Sequence, residues 1–294
     1  MLKPRHLSPG DRIAIVAPAG KLKKGSLDQA LKVLNSWNLE VIIGDHVYNT
    51  NHYFSGTDEE RLTDLQKAIN DPTIGAILCA RGGYGTTRII DNLELKALKN
   101  YPKWIIGYSD ITALHLKMLN ENFLSIHGDV GTTLGSDHEA TQALYELLFN
   151  ERSILQGAEP IRNGETTAEI TGGNLSLIVD SLGGPNEIDS DGRILFIEEI
   201  GEKAYRIDRM MIQLLRAGKL NNLAGLAIGH FTYITSDVDY SWQEIITDII
   251  KEFNYPVALG YKVGHEANNY PIIHGAKYKF KVAEKGSSLS LANS

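Results

Sequence analysis

Apolar residues in the first half of the chain fall into short β-rich runs separated by longer stretches with helical spacing. Arg12-Ile-Ala-Ile-Val-Ala17 reads as a strand, and Leu27, Ala30, Leu31, Val33 and Leu34 after it as one face of a helix. Val41 to Ile43, Ile74 to Ala80 and Trp104 to Ile106 read as further strands, with a charged amphipathic helix over Asp58 to Asn70. Strands that alternate with helices predict a parallel sheet, and their near-continuous apolar character predicts burial on both faces. After Trp104 to Ile106 the chain passes through Gly107-Tyr-Ser-Asp110 into a helix whose apolar positions are Ile111, Leu114, Met118 and Leu119. Ser109 is therefore expected on a sharp strand-to-helix turn.

A helical pattern runs from about residue 135 to 150. Glu151 to Thr167 is then polar and aperiodic, with Gly157, Pro160, Asn163 and Gly164. This predicts a linker at 151–167 between two domains, 1–150 and 168–294. The second half is less regular: a helix after Gly172-Gly-Asn-Leu-Ser176, a strand over Arg193 to Ile197, a helix over Asp208 to Arg216, a strand over Leu223 to Ile228 and a helix from Ser241 to Glu252. The tail after Val282 reads as a weak final strand and a fraying end. Both halves belong to the α/β class.

Composition narrows the function. With 43% hydrophobic and 22% charged residues the chain is an ordinary globular protein, and its net charge of -7 with no basic stripe argues against nucleic acid as a partner. No apolar run is long enough to cross a bilayer, and the first one, from Ile13, is cut short by Pro18, which argues against a secretory signal. The one cysteine, Cys79, lies in an apparent core strand. A reducing cytoplasm is expected, and no thiolate metal cluster can form.

The turn at Ser109 is the geometry that lifts a nucleophilic hydroxyl clear of a sheet, although a serine there can equally be a helix cap. A serine nucleophile needs a base and a group that orients the base. Among the histidines, His6, His46, His52 and His138 lie in segments that read as surface loops, and His115 sits inside the helix after Ser109. His127 and His230 follow apolar runs and remain candidates, while His274 reads as part of a return strand. His265, after Tyr261-Lys-Val-Gly264, is the best placed base. For the orienting acid, Ile194-Leu-Phe-Ile197 runs into Glu198 and Glu199, with Glu202 close behind; adjacent residues of a strand point to opposite sides, so only one of the pair can face a given site. Arg81-Gly-Gly-Tyr-Gly85 offers backbone amides to an oxyanion. It lacks the pattern of a P-loop or a dinucleotide fingerprint, and no His-Glu-x-x-His cluster points to a metal.

Taken in order, Gly10-Asp-Arg-Ile-Ala-Ile-Val-Ala-Pro18, Arg81-Gly-Gly-Tyr-Gly85, Gly107-Tyr-Ser-Asp110, Gly172-Gly-Asn-Leu-Ser176, Phe196-Ile-Glu-Glu-Ile-Gly-Glu202 with Tyr205-Arg-Ile-Asp-Arg209, and Gly264-His265 resemble the LD-carboxypeptidases, or muramoyl-tetrapeptide carboxypeptidases. This family of serine peptidases includes the microcin C self-immunity proteins. The resemblance implies a flavodoxin-like N-terminal domain and a smaller α/β C-terminal domain, with the site in the groove between them, commonly in a homodimer. It implies Ser109 as nucleophile, His265 as general base and then acid, Glu198 as its orienting partner, and the amides of Gly83 and Asp110 as the oxyanion hole. Gly82, Tyr84 and Asn174 are the expected substrate contacts. The implied reaction needs no metal or cofactor and releases a C-terminal D-amino acid, typically D-Ala from cytoplasmic murein tetrapeptide. Two alternatives stand beside it: a peptidyl-nucleotide amide as substrate, with Trp242 or Tyr240 as an aromatic platform, and a non-catalytic binding module in which Ser109 only caps a helix. The chain departs from the family pattern at His127-Gly-Asp129, at Glu199 and over Asn268 to Gly275; no triad member is lost.

Overall fold

The structure, a computed structural model, describes residues 1–292. It divides into two compact units: Met1–Ser153 with Tyr270–Gly275, and Ile154–Asn269 with the chain from Ala276 onward. The first unit contains β1 (Arg12–Val16), α1 (Asp28–Ser36), β2 (Glu40–Ile43), α2 (Asp58–Asn70), β3 (Ile74–Cys79), α3 (Thr86–Ile89), β4 (Trp104–Gly107), α4 (Thr112–Asn120), β5 (Ser125–His127) and α5 (His138–Asn150). The second contains β6 (Ile154–Gln156), β7 (Glu159–Arg162), β8 (Gly164–Asn174), α6 (Leu175–Asp180), β9 (Ile194–Ile200), α7 (Ala204–Arg216), β10 (Gly225–Thr232), α8 (Trp242–Ile249) and β11 (Val257–Leu259). The chain then returns to the first unit for β12 (Ile272–His274) and closes in the second with β13 (Lys277–Ala283) and β14 (Gly286–Leu291).

The first sheet has the order β2-β1-β3-β4-β5-β12, with β1 to β5 parallel and β12 antiparallel at the edge. The order 2-1-3-4-5 is that of the flavodoxin-like fold, in which ligands bind beyond the carboxyl ends of the strands where the winding reverses. Here that reversal lies between β1 and β3. β3 and β4 are buried nearly throughout, as their apolar runs require, but β2 is not: Ile42 and Ile43 are 38% and 37% exposed on an edge strand covered by no further strand.

Local chemistry sets the helix ends. α2 begins with a capping box in which Thr57 and Glu60 satisfy each other's backbone amides. Its other end is closed by buried Lys103, whose ammonium donates to the carbonyls of Ala68 (3.0 Å) and Asp71 (2.5 Å), neutralising the negative end of the helix. Burial lowers the Lys103 pKa to about 8 despite nearby Asp71.

The second sheet has the order β6-β14-β13-β8-β9-β10-β11-β7. β8 to β11 are parallel, and the flanking pairs are antiparallel. The stretch 151–167 is thus not a linker: it supplies β6, β7 and the start of β8. β6 and β7 end the sheet on either side, and an edge strand tolerates Pro160 and a polar composition. The weak final strand is β14, paired on both sides by β13 and β6, with Leu289 fully buried; the expected fraying end falls on 293–294, outside the described residues. No helix among the described residues is long and apolar enough to cross a membrane.

Candidate active site

β4 delivers Ser109 to the carboxyl end of the first sheet. Tyr108 is extended, Ser109 adopts a left-handed φ of 64°, and a tight turn over Ser109–Ile111 leads into α4. A non-glycine residue held there costs about 1–3 kcal/mol and persists only when its surroundings impose it. Gly107 permits the turn, because a β-carbon there would lie 2.9 Å from Ile111 Cγ1. The Ser109 hydroxyl caps neither the turn nor α4. The helix-cap explanation of this serine therefore has no hydrogen bond behind it.

The loop after β3 packs on this serine. A β-carbon at Gly82 would lie 2.9 Å from Ser109 Cβ and 3.1 Å from its Oγ. Gly83 takes a φ of 106°, and among the described residues its amide donates no hydrogen bond. The loop is fixed at both ends. Gly20 donates its amide to Gly82 O at 3.1 Å, and Arg81 Nη1 donates to Lys21 O at 2.8 Å. At the far end the carboxylate of Asp110, 1% exposed, accepts the amide of Thr86 at 2.8 Å, a charge-assisted bond to the start of α3. Arg61, also 1% exposed, donates to Gly85 O at 2.8 Å and to Pro18 O, and pairs with Asp58. The Ser109 turn and the glycine loop are thereby locked together through Asp110. Tyr84 stays 47% exposed at the loop's crest.

Neither the Asp110 carboxylate nor Arg61 was identified from sequence as a structural brace. A signal existed for Arg61: it occupies the buried stripe Arg61, Leu65, Ala68, Ile69 of α2, a charge on an apolar face.

In the second unit β9 ends in Glu198 and Glu199, both buried and turned to opposite sides. Glu198 Oε2 lies 2.7 Å from His265 Nδ1. Glu199 faces the start of α6 and accepts from Asn174 Nδ2 (2.9 Å), Ser176 N (2.8 Å), Ser176 Oγ (2.7 Å) and Ile200 N (2.9 Å). Glu202 pairs with Arg206. Of the three candidate acids, only Glu198 reaches the histidine. Glycine makes this approach possible: a β-carbon at Gly264, whose φ is 126°, would lie 2.9 Å from both Cβ and Oε2 of Glu198. Asn269, 1% exposed, braces the loop by accepting Gly264 N at 2.9 Å. His265 lies in this loop, which follows β11, a strand that stops at Leu259.

Burial disfavours the charged imidazole of His265, but the hydrogen bond and charge of Glu198, with Glu199 behind it, outweigh burial and raise its pKa above the usual histidine value. Glu199 is shifted upward by burial, against the hydrogen bonds it accepts. A histidine oriented and made more basic by a buried carboxylate is equipped to take a proton from a hydroxyl.

The remaining expectations sort as follows. Asn174, expected to contact substrate, spends its side chain on the β8–α6 turn, where it caps Leu177 N and bonds Glu199. His46 is not simply solvated, since its Nδ1 lies 2.8 Å from the buried carboxylate of Asp64. His127 is buried on β5 beside Tyr108, and His230 lies 3.2 Å from Asn268 Oδ1. His115 bonds Ser125 Oγ and Gly107 O, each at 2.8 Å, and stacks on His274. Trp242 stacks on Phe231 at 4.3 Å, so one face of that ring is already covered. Cys79 is a buried thiol whose pKa is pushed up by burial and by Asp110. Among the described residues no group of three or more His, Cys, Asp or Glu could hold a metal ion.

Comparison with known proteins matches both halves of the chain. Residues 13–128 match the LD-carboxypeptidase N-terminal domain and residues 167–280 the LD-carboxypeptidase C-terminal domain. A probable murein peptide carboxypeptidase of Bacillus subtilis (strain 168) is 37% identical over 295 residues, covering 96% of this chain and 92% of the relative. A solved muramoyltetrapeptide carboxypeptidase from Oxalobacter formigenes is 26% identical with a TM-score of 0.88, over 96% of this chain and 99% of that one. The microcin C7 self immunity protein MccF, solved in complex with aspartyl sulfamoyl adenosine, has a TM-score of 0.90 over 99% of each chain at 19% identity, a likeness of fold alone.

Proposed function

We propose that this chain, which belongs to the LD-carboxypeptidase family, is a serine carboxypeptidase that hydrolyses the bond between an L-centre and a C-terminal D-amino acid, releasing D-Ala from murein tetrapeptide. Ser109 Oγ attacks the scissile carbonyl carbon while His265 takes its proton. Glu198 keeps the imidazole in the required tautomer and stabilises the imidazolium. The amides of Gly83 and Asp110 receive the developing oxyanion, and Gly82 and Tyr84 border the bound peptide. His265 then protonates the departing amine of D-Ala. Water, deprotonated by the same histidine, cleaves the acyl-enzyme and regenerates Ser109.

The observation that carries this reading is the buried Glu198 carboxylate 2.7 Å from His265 Nδ1, on a chain whose halves match the two LD-carboxypeptidase domains. A peptidyl-nucleotide amide would be opened by the same chemistry. Murein peptide is favoured because the proteins named for it are 26–37% identical to this chain, against 19% for MccF. The same reading makes the protein a cytoplasmic homodimer of peptidoglycan recycling, and a free, buried Cys79 suits a reducing compartment.

The test is to incubate the purified protein with L-Ala-D-Glu-meso-diaminopimelate-D-Ala, with its all-L counterpart and with an aspartyl-adenylate amide, and to identify the products by mass spectrometry. D-Ala released from the first substrate alone supports the proposal. Cleavage of the all-L peptide or of the nucleotide amide in its place overturns the substrate assignment.

A further inference from the structure

α4 is buried almost all round. Thr112, Ala113, Leu114, Leu116, Met118 and Leu119 are withdrawn from solvent, and among them stands His115, with none of its surface exposed. A polar ring in such a place costs free energy unless its nitrogens find partners, a requirement that an apolar side chain would not bring. Both nitrogens are served: Nε2 lies 2.8 Å from Gly107 O and Nδ1 2.8 Å from Ser125 Oγ. A carbonyl oxygen only accepts, so Nε2 carries the proton, and Nδ1 accepts the proton of the Ser125 hydroxyl. The face of the ring is covered as well. His274, which lies opposite Ser125 in the register of β12 on β5, stacks on it at 4.8 Å and 24°. The imidazole is thereby held by β4, β5 and β12 together.

We infer that His115 is a positioning residue for the nucleophile: by holding the last carbonyl of β4 it fixes the peptide from which the Ser109 turn springs. This rests on reading Ser109 as the nucleophile. Gly107 ends β4, and His115 stands eight residues further on in α4, so the bond between them closes strand, turn and helix into a ring. The left-handed φ of 64° at Ser109 persists only if both sides of the turn are constrained. On the far side the constraint is the Asp110 carboxylate, which accepts Thr86 N at 2.8 Å. On the near side it is Gly107 O, which accepts from His115 and, at 3.1 Å, from Gly128 N. The Gly128 bond only extends the sheet. The His115 bond ties this carbonyl to the helix that follows the serine. Glycine is the residue whose backbone rotates most freely, so at position 107 stiffness has to come from outside the residue. The imidazole moves no proton in the reaction; its part is to set where Ser109 Oγ stands.

Steady-state D-Ala release is compared for the native enzyme, His115→Phe and His115→Gln, with urea denaturation to confirm that each is folded. Phenylalanine keeps a flat ring under His274 and removes both hydrogen bonds, whereas glutamine restores an N–H for Gly107 O. His115→Phe is expected to lower kcat about 10- to 100-fold with KM changed by less than about threefold, and His115→Gln to recover most of that loss. Leu289→Ala, a cavity in the core of the second unit, controls for lost stability alone, and its folded molecules are expected to keep the native kcat. A folded His115→Phe enzyme with native kcat, or a glutamine variant no better than phenylalanine, overturns the assignment. Two measurements are independent of turnover. Nitrogen NMR of the native protein is expected to show His115 protonated on Nε2; a proton on Nδ1 overturns the proposal whether or not the variants fold. Crystal structures of the native and His115→Phe proteins are expected to differ at the Ser109 turn, with Oγ displaced by about 1 Å, and superimposable turns overturn the proposal. A native protein that releases no D-Ala, but whose Ser109 turn moves in His115→Phe, refutes the hydrolytic reading and leaves the positioning role standing.

Discussion

Gly82→Ala tests whether Ser109 works from the position in which the fold holds it. The added β-carbon would lie 2.9 Å from Ser109 Cβ, 3.1 Å from Oγ and 3.3 Å from Tyr108 O. Carbon atoms in comfortable contact sit about 3.5–4.0 Å apart, so the serine or the glycine loop must give way by about 0.6 Å or more. Neither moves freely. Ser109 is already at a φ of 64°, its neighbour Asp110 is anchored on Thr86 N, and the loop is tied to Gly20 and Lys21. Gly82 itself is not among the glycines with positive φ, so alanine there meets crowding and no backbone prohibition. Overpacking of this kind costs about 1–3 kcal/mol of stability, and a displacement approaching 1 Å at a reacting atom costs roughly a hundredfold in rate. Steady-state D-Ala release is expected to show kcat lowered by about 30- to 100-fold with KM changed by less than about threefold. Urea denaturation checks that the variant remains folded. A folded Gly82→Ala protein with near wild-type kcat would refute the view that the glycine loop and the nucleophile form one rigid arrangement.

Glu198→Gln should lower kcat by about a thousandfold or more, as loss of an orienting carboxylate does in other triads, and should shift the acid limb of the kcat/KM profile downward. The sign follows from the base having to be neutral: Glu198 raises the His265 pKa, so activity in the native enzyme appears only as pH rises through a value above about 6.5. Glu199→Gln should cost stability, because that carboxylate accepts four hydrogen bonds from its surroundings, and should move the acid limb far less; equal shifts from the two variants would contradict the assignment. Acid should destabilise the protein through its buried histidines. Burial lowers the His115 pKa to about 4, against the bond to Gly107 O, and drives that of His274 down as well. The unfolded chain takes up these protons first, so stability falls as pH drops below about 6.5, by about 2 kcal/mol between pH 7 and pH 5 for His115 alone. Urea midpoints that coincide at the two pH values would count against neutral, buried imidazoles.

The first unit was legible because its strands are buried on both faces and its helices obey a 3.6-residue period, so β1, β3, β4 and α2 fall within a residue or two of where the pattern puts them. β2 shows the limit of that rule. Its apolar residues read as a core strand, yet only its place in the sheet order, which no local window contains, makes Ile42 and Ile43 an exposed edge. The second unit hid its edges for the same reason. β6 and β7 are short or polar because they end an eight-stranded sheet, and such strands resemble linkers, whereas serine-rich β14 beside that edge still reads as a weak strand. At the candidate site, residue types and order pointed to Ser109, Glu198 and His265. Strand alternation alone says only that Glu198 and Glu199 diverge; the resemblance implied Glu198, and it is that carboxylate which lies beside His265. Of the braces, Arg61 left a signal as a charge on the buried face of α2, whereas the side chains of Asp110 and Asn269 left none. A side chain that acts by holding a single backbone amide, as Asp110 holds that of Thr86 across 24 residues, leaves no spacing to read.

The central claim is that Ser109 is the nucleophile, and the most direct measurement is kcat/KM for D-Ala release from L-Ala-D-Glu-meso-diaminopimelate-D-Ala by the native enzyme and by Ser109→Ala. The substitution keeps Cβ and removes only the hydroxyl, which makes no capping hydrogen bond. The account predicts a folded protein with kcat/KM reduced at least about a thousandfold. Release of D-Ala by Ser109→Ala at a rate near that of the native enzyme would contradict it.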